Sequence, residues 1–262
     1  MAAAEIGQAT VCGIDLEVLR AGAGDPILLL HGMQTLSPES HFLERLAALG
    51  RVIAPSAPGF GDSPRSKDFD TVYDLVHLHH ALLDSLPGGD VTLIGMSFGG
   101  WLAAEVAARR PHRLRRLVLV DPLGLKISDR ETADILDVFN VAPATVRRKA
   151  WHDPDRHAPD FDAMDDAEIV RYARNRDALC LYGWHPYMHN PQLNRWLGRI
   201  GVPALVLWGA SDGVVTPAYG RAYADLIPNA RFAVIEQAGH HPEIEQPDVL
   251  ADHIASFING AV

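Results

Sequence analysis

An α/β fold is what this sequence predicts: a mostly parallel central sheet flanked by helices and interrupted by one helical insertion. Three observations carry that expectation. Short apolar runs, among them Ile27–Leu30, Val91–Ile94, Leu117–Val120 and Ala204–Trp208, alternate with segments of helical periodicity, the rhythm of strand-helix-strand units. That rhythm stops between Leu123 and Arg199, a stretch far longer than ordinary connections. The hexapeptide Gly95-Met96-Ser97-Phe98-Gly99-Gly100 stands where one apolar run passes directly into a helical pattern.

Taken in order, Thr10–Leu19, with mixed alternation around Gly13, reads as an antiparallel hairpin or as paired edge strands ahead of the main sheet. Pro26–Leu30 is a solid apolar strand that runs into His31-Gly32-Met33-Gln34, a Gly-bearing loop before a helix over His41–Leu49. Val52–Ala54 is a short strand, and the Pro- and Gly-rich segment from Pro55 to Pro64 that follows it can only be turns. Thr71 and Asp74 form a capping box, and Val72, Leu75, Val76, His79, Leu82, Leu83 and Leu86 form an apolar stripe at helical spacing. His77, His79 and His80 on that helix lack a carboxylate or cysteine to complete a metal set, so they read as surface or packing histidines. Val91–Ile94 is a buried strand, and the Ala-rich helix after Ser97 ends at Arg109-Arg110-Pro111, cations and then a breaker.

Leu117–Val120 is the next buried strand, and the core spans 1–122 and 200–262 with the insertion at 123–199. Within the insertion, Ser128 to Glu131 reads as a second capping box, Asp166–Leu181 as a longer helix and Asn190-Pro191 as the start of a third. Asp160, Asp162, Asp165 and Asp166 lack the Gly and terminal Glu of a calcium loop and read as a solvated loop and helix start. The aromatic residues of the insertion, Trp184 and Tyr187 foremost, either line a substrate pocket or form the insertion's own small core. Pro203–Trp208 returns to the sheet, Thr216-Pro217 opens a helix, Arg231–Ile235 is the last strand, and a final helix turns Leu250, Ile254, Phe257 and Ile258 inward.

Composition bounds the function. The chain has 262 residues, enough for one large α/β domain, and its 33 acidic against 23 basic side chains give a formal charge of -10. Such a surface repels phosphate backbones and anionic membranes, which argues against nucleic-acid and membrane partners and for a small-molecule substrate. Cys12 and Cys180 stand in dissimilar contexts and read as buried free thiols. The N-terminal stretch lacks a basic segment followed by an apolar one, so a cytoplasmic protein is expected. Oligomeric state is not encoded in any motif.

A sharp strand-to-helix turn lifts a serine hydroxyl above the sheet edge, provided that the residues two positions either side are small. Gly95 and Gly99 are those residues, giving G-x-S-x-G around Ser97. With this elbow the sequence resembles the α/β-hydrolase family, and the likeness covers nearly the whole chain outside the insertion. It implies Ser97 as nucleophile, Gly239-His240 as the family's final G-H with His240 as base, and Asp212, in the loop after Trp208, as acid. It also implies an oxyanion hole from the backbone N–H groups of Met33, in the H-G-x loop, and Phe98. The insertion resembles the family's cap. Two competitors stay open: His241 beside His240, and Asp121, which also follows a buried strand. A serine rather than an aspartate at the elbow disfavours epoxide opening and halide displacement. The activity implied is hydrolysis of a small carboxylic ester without metal or organic cofactor. The alternatives are carbon-carbon bond hydrolysis of a dioxo acid by the same triad and a non-catalytic ligand-binding protein.

Overall fold

The computed structural model describes residues 4–260; the first three residues of the N-terminal stretch lie outside the described residues. Eight strands form one sheet: β1 Glu5–Val11, β2 Ile14–Ala21, β3 Pro26–Leu30, β4 Arg51–Pro55, β5 Val91–Met96, β6 Leu114–Val120, β7 Ala204–Gly209 and β8 Ala230–Ile235. Their order is β1-β2-β4-β3-β5-β6-β7-β8, with β1, β2 and β4 paired antiparallel and every pairing from β4 to β8 parallel. Ten α-helices accompany them among the described residues: α1 His41–Ala47, α2 Val72–Ser85, α3 Ser97–Ala108, α4 Pro143–Ala150, α5 Pro154–His157, α6 Asp166–Gly183, α7 Leu193–Trp196, α8 Pro217–Asp225, α9 Pro242–Glu245 and α10 Pro247–Ile258.

The central strands are apolar through their buried stretches because both faces are covered there, and the period of two sorts their side chains between two cores. Leu28, Leu30, Leu93, Leu117, Leu119 and Val206 face α2, α3 and α8. Ile27, Leu29, Ile94, Val118, Val120, Leu205 and Leu207 face α1 and α10. Each such side chain, fully removed from water, contributes ~1.5–3 kcal/mol. Thr71 caps α2 reciprocally with Asp74, as the sequence predicts. Helix α3 is buried on all sides, which explains why its sequence is apolar all round rather than striped.

Between β6 and β7 the chain leaves the sheet, and here the structure departs from the expected helices. Ser128–Glu131 starts no helix: Asp129 Oδ1 accepts the N–H groups of Glu131 and Thr132 at 3.0 and 2.9 Å, a local turn that competes with helix formation. The neighbouring Asp134 carboxylate gathers the Ile127 and Ser128 N–H groups and the Lys126 ammonium. Regular helix begins only at Pro143. Asp165 caps α6 in a reciprocal box with Glu168, so this acidic stretch does supply a helix start. Both cysteines are free, but Cys12 is exposed in the β1–β2 turn rather than buried. No described helix is long and apolar enough to cross a membrane.

Candidate active site

Ser97 is the first residue of α3 and follows β5 without a linker. Its φ of 50° lies in the left-handed region, uncommon for a non-glycine residue and a mark of stored strain. The packing explains the flanking glycines. A Cβ on Gly95 would stand 2.4 Å from the Gly99 carbonyl oxygen, and one on Gly99 would stand 2.3 Å from that of Leu30. Gly32 also abuts the serine, where a Cβ would lie 3.2 Å from Ser97 Cβ. The loop carrying Met33 therefore approaches the hydroxyl from one side while the N-terminus of α3, with Phe98, approaches from the other.

Three loops at the carboxyl edge of the sheet bring Ser97, His240 and Asp212 into one hydrogen-bonded chain. Ser97 Oγ lies 2.7 Å from His240 Nε2, and His240 Nδ1 lies 2.7 Å from Asp212 Oδ2. Asp212 Oδ1 is held separately by the N–H groups of Val214 and Val215 at 2.8 and 3.1 Å. These bonds orient the carboxylate and select the tautomer: Nδ1–H donates to Asp212, leaving Nε2 free to accept from the serine. Burial, the largest single influence, lowers the proton affinity of His240. The Asp212 charge, its hydrogen bond and the Glu243 charge together outweigh burial, and the imidazole ends above its ordinary 6.5.

His31, which opens the loop after β3, orients that loop. Its Nδ1–H donates to the Gly32 carbonyl at 2.7 Å and its Nε2 accepts the Ala57 N–H at 3.0 Å. Burial pushes its pKa down to about 4, so it is neutral at pH 7. His79 is likewise buried, donates to the Leu75 carbonyl and is lowered to about 4 by burial. Among the described residues, His77, His79 and His80 join no cluster with metal-ligand spacing.

The serine and His240 open into a cavity of about 720 Å³. Its walls include Met33, Leu123, Ile135, Leu136, Val138, Leu179, Met188 and Val214, and most of them come from the segment between β6 and β7. Tyr187 lines the cavity, and its hydroxyl accepts the Val138 N–H at 2.9 Å and donates to the Leu136 carbonyl at 3.0 Å. Trp184 does not line it: this residue caps the C-terminus of α6, is 57% exposed, and meets the cavity only indirectly through Phe139, whose ring also touches Tyr187. Asp160 and Asp162, expected in a solvated loop, line the cavity with Asp155, Arg147 and Arg176. Both arginines are engaged, Arg147 with Asp155 and the Pro154 carbonyl, Arg176 over the Phe139 ring.

Several positioning residues escape sequence reasoning. Trp151 stacks on His241 with ring centroids 4.4 Å apart and lines the cavity. Glu245, nearly buried, accepts the N–H groups of Gly239, His152 and Asp153 at 2.6, 2.9 and 2.9 Å. It thus ties the loop of His240 to the segment between β6 and β7. The same segment offers the Ala150 carbonyl to His240 N–H at 2.7 Å and the Lys149 carbonyl to Gly213 N–H at 2.8 Å. His241 points elsewhere, toward Glu243 at 3.2 Å. Asp121 is buried beside Asp212 and accepts the Gly209 N–H at 2.9 Å.

The sequence and the fold that carry Ser97, Asp212 and His240 have counterparts among known proteins. The chain is 30% identical to a 2-hydroxymuconate semialdehyde hydrolase from a Pseudomonas species, over 97% of this chain and 94% of that protein. It is 31% identical to a lipase from Mycobacterium tuberculosis over 80% of this chain and 76% of that one. In fold it resembles a meta-cleavage product hydrolase from Pseudomonas fluorescens, with a TM-score of 0.78, 22% identity and coverage of 98% of this chain and 99% of that one. The sequence profile of the alpha/beta hydrolase family matches residues 27–253, which take in the sheet from β3 to β8 and everything that carries the serine, the imidazole and the carboxylate, so this chain belongs to the alpha/beta hydrolase family of enzymes.

Proposed function

We propose that the protein is a serine hydrolase that cleaves a carboxylic ester with an apolar acyl or alcohol group. The observation that carries this reading is the unbroken chain from Ser97 Oγ through His240 to Asp212, opening into an apolar cavity. Ser97 attacks the ester carbonyl as His240 Nε2 takes its proton, and Asp212 stabilises the imidazolium that forms. The Met33 and Phe98 N–H groups, fixed on either side of the serine, donate to the oxyanion, and the helix N-terminus adds its partial positive charge. Collapse of the tetrahedral intermediate expels the alcohol, which takes the proton from His240. Water then attacks the acyl-enzyme by the same route, and the acid leaves with Ser97 restored. The segment between β6 and β7 acts as a cap that excludes water and shapes the acyl or alcohol subsite.

The cavity chemistry favours an ester over a dioxo acid. A dioxo acid brings a carboxylate, which Asp155, Asp160 and Asp162 on the cavity wall disfavour, and Arg147 on that wall is already paired with Asp155. Each methylene of an acyl chain that the apolar wall buries contributes ~0.8 kcal/mol, or up to about fourfold in kcat/KM. Turnover of p-nitrophenyl esters is therefore expected to rise from acetate toward hexanoate. The second reading, carbon-carbon hydrolysis of a dioxo acid, draws on the likeness to 2-hydroxymuconate semialdehyde hydrolase. Efficient cleavage of a dioxo acid with negligible turnover of every ester would favour that reading, and turnover of neither would leave a ligand-binding protein.

The acid limb of the pH profile tests the base. The reaction needs neutral His240, and its raised pKa means that protonation sets in earlier as pH falls. The kcat/KM of the ester is expected to drop tenfold per pH unit below an apparent pKa somewhat above 6.5. A limb centred well below 6.5 would remove His240 as the base. His240→Ala should abolish this limb together with most activity, whereas His241→Ala should leave it in place.

A further inference from the structure

Directly behind the Asp212 carboxylate lies a second carboxyl group that the mechanism above does not use. Asp121 is only 1% exposed, and its two oxygens differ. Oδ1 accepts the Gly209 N–H at 2.9 Å, whereas Oδ2 is buried without any N–H or hydroxyl donor. Ligand atoms of Asp121, Asp212 and His240 all lie within 4.8 Å of one another. Two ionised carboxylates so close together in a dry site repel strongly, and an ionised oxygen with no donor is poorly solvated besides. Asp212 must stay ionised to pair with His240 Nδ1 and to accept the Val214 and Val215 N–H groups. Asp121 has a single bond to a neutral amide and is the member that can be neutral at low cost.

We propose that Asp121 is a permanently protonated positioning residue, a neutral carboxylic acid that donates its Oδ2 proton to Asp212 while its Oδ1 holds Gly209. The proposal rests on the triad reading of the function. Burial first, and then the Asp212 charge, push the Asp121 pKa well above its ordinary value, in the same direction as the geometry. The proton is not passed on during the reaction. Its hydrogen bond draws charge from Asp212, so that Asp212 raises the His240 pKa less than a bare carboxylate would and His240 stays neutral further toward acid pH. The Asp121 backbone reinforces the clamp, since its N–H donates to the Leu207 carbonyl at 3.0 Å, and its φ of 44° is left-handed. Among the described residues, the titratable groups near this pair include His241 and Glu243 from the loop and helix after β8, Glu245 on the same helix, His152, whose Nδ1 meets Ser211 Oγ at 2.8 Å, and Lys149, whose stem packs on Gly213 beside Asp212. Glu243 carries a charge that acts on both Asp121 and His240, and its effect is the same in every variant below.

The test compares wild type, Asp121→Asn and Asp121→Ala by infrared difference spectroscopy and by NMR titration of labelled His240, neither of which requires turnover. Asparagine keeps an acceptor for Gly209 and an N–H donor for Asp212, and it tolerates the left-handed backbone. If Asp121 is neutral, wild type has a carboxylic-acid carbonyl band at pH 7 that Asp121→Asn lacks, and the His240 pKa agrees within about 0.3 unit between the two. Asp121→Ala, which removes the donor, then raises the His240 pKa by about half a unit or more. If Asp121 is ionised, its replacement by Asn removes a full charge beside His240 and lowers that pKa by more than about one unit. That result, or the absence of any acid band assigned to Asp121, overturns the proposal. Should the Ala variant fail to fold, the comparison with Asn decides alone. Failure of the ester reading would register separately, as lack of turnover in a protein whose acid band is intact.

Discussion

Ser97→Ala is expected to reduce kcat for a p-nitrophenyl ester by about 10⁶-fold and to abolish labelling by a fluorophosphonate probe, while the protein stays folded. The magnitude follows the loss seen when the nucleophile alone is removed from a well-studied serine protease. The substitution deletes one oxygen whose partner is His240 Nε2 at 2.7 Å, and the imidazole keeps its bond to Asp212. The backbone at Ser97 has a φ of 50°, a conformation in which alanine is somewhat less at ease than serine, so a cost of about 1 kcal/mol is expected. That is small beside the catalytic loss, and thermal unfolding measures it independently. Residual activity would report what Met33 and Phe98 N–H groups and the cavity achieve by binding alone. A purified Ser97→Ala protein that still turns over the ester, or still takes the probe, would assign the nucleophile elsewhere.

The parts of the site that were legible in the sequence are those whose physics is local. The elbow could be read because its signature lies within five residues: Gly95 is small because Gly99 and Ala103, just downstream, fold back to within a Cβ's reach, although Gly99 is small because the Leu30 and His31 carbonyls, distant in sequence, close on it. The central strands could be read because covering both faces gives them runs of consecutive apolar residues, and the Thr71–Asp74 box because both partners lie in one turn. The Ser128–Glu131 pattern failed for the converse reason: Asp129 and Asp134 satisfy the backbone in turns, and no apolar face draws the segment into a helix.

What stayed hidden depends on contacts between distant parts of the chain. Glu245 looks like an ordinary residue of a short helix, and only the approach of His152 and Asp153, more than ninety residues earlier, gives its carboxylate three donors. Trp151 stands apart from the aromatic cluster of Tyr182 to Tyr187 that drew attention in the sequence, yet it stacks on His241 and lines the cavity, while Trp184 within that cluster faces solvent. The segment between β6 and β7 is also more than a cover. By offering its Lys149 and Ala150 carbonyls to the Gly213 and His240 N–H groups, it shares backbone bonds with the loops that carry Asp212 and His240.

Asp212→Asn is expected to lower kcat by about 10⁴-fold, a transition-state cost of about 5.5 kcal/mol, with little loss of stability. The reason lies in how the two carboxylate oxygens are used. Oδ1 accepts from Val214 and Val215 N–H, and Oδ2 accepts from His240 Nδ1–H. An asparagine satisfies the two backbone donors with its carbonyl oxygen, which leaves its NH₂ group facing Nδ1. That nitrogen must then accept, the ring proton moves to Nε2, and Nε2 can no longer take the proton of Ser97. The shape survives while the tautomer is wrong, and the stabilising charge on the imidazolium is gone as well. Asp121→Asn, at the other buried carboxyl, should stay within about tenfold of wild type, because asparagine keeps an acceptor for the Gly209 N–H and a donor toward Asp212 and the side chain makes no hydrogen bond to His240. Measuring kcat for both variants at pH 8, with thermal unfolding as the control for folding, separates the two carboxyls. Near-wild-type turnover in Asp212→Asn together with a collapse in Asp121→Asn would transfer the role of acid to the end of β6.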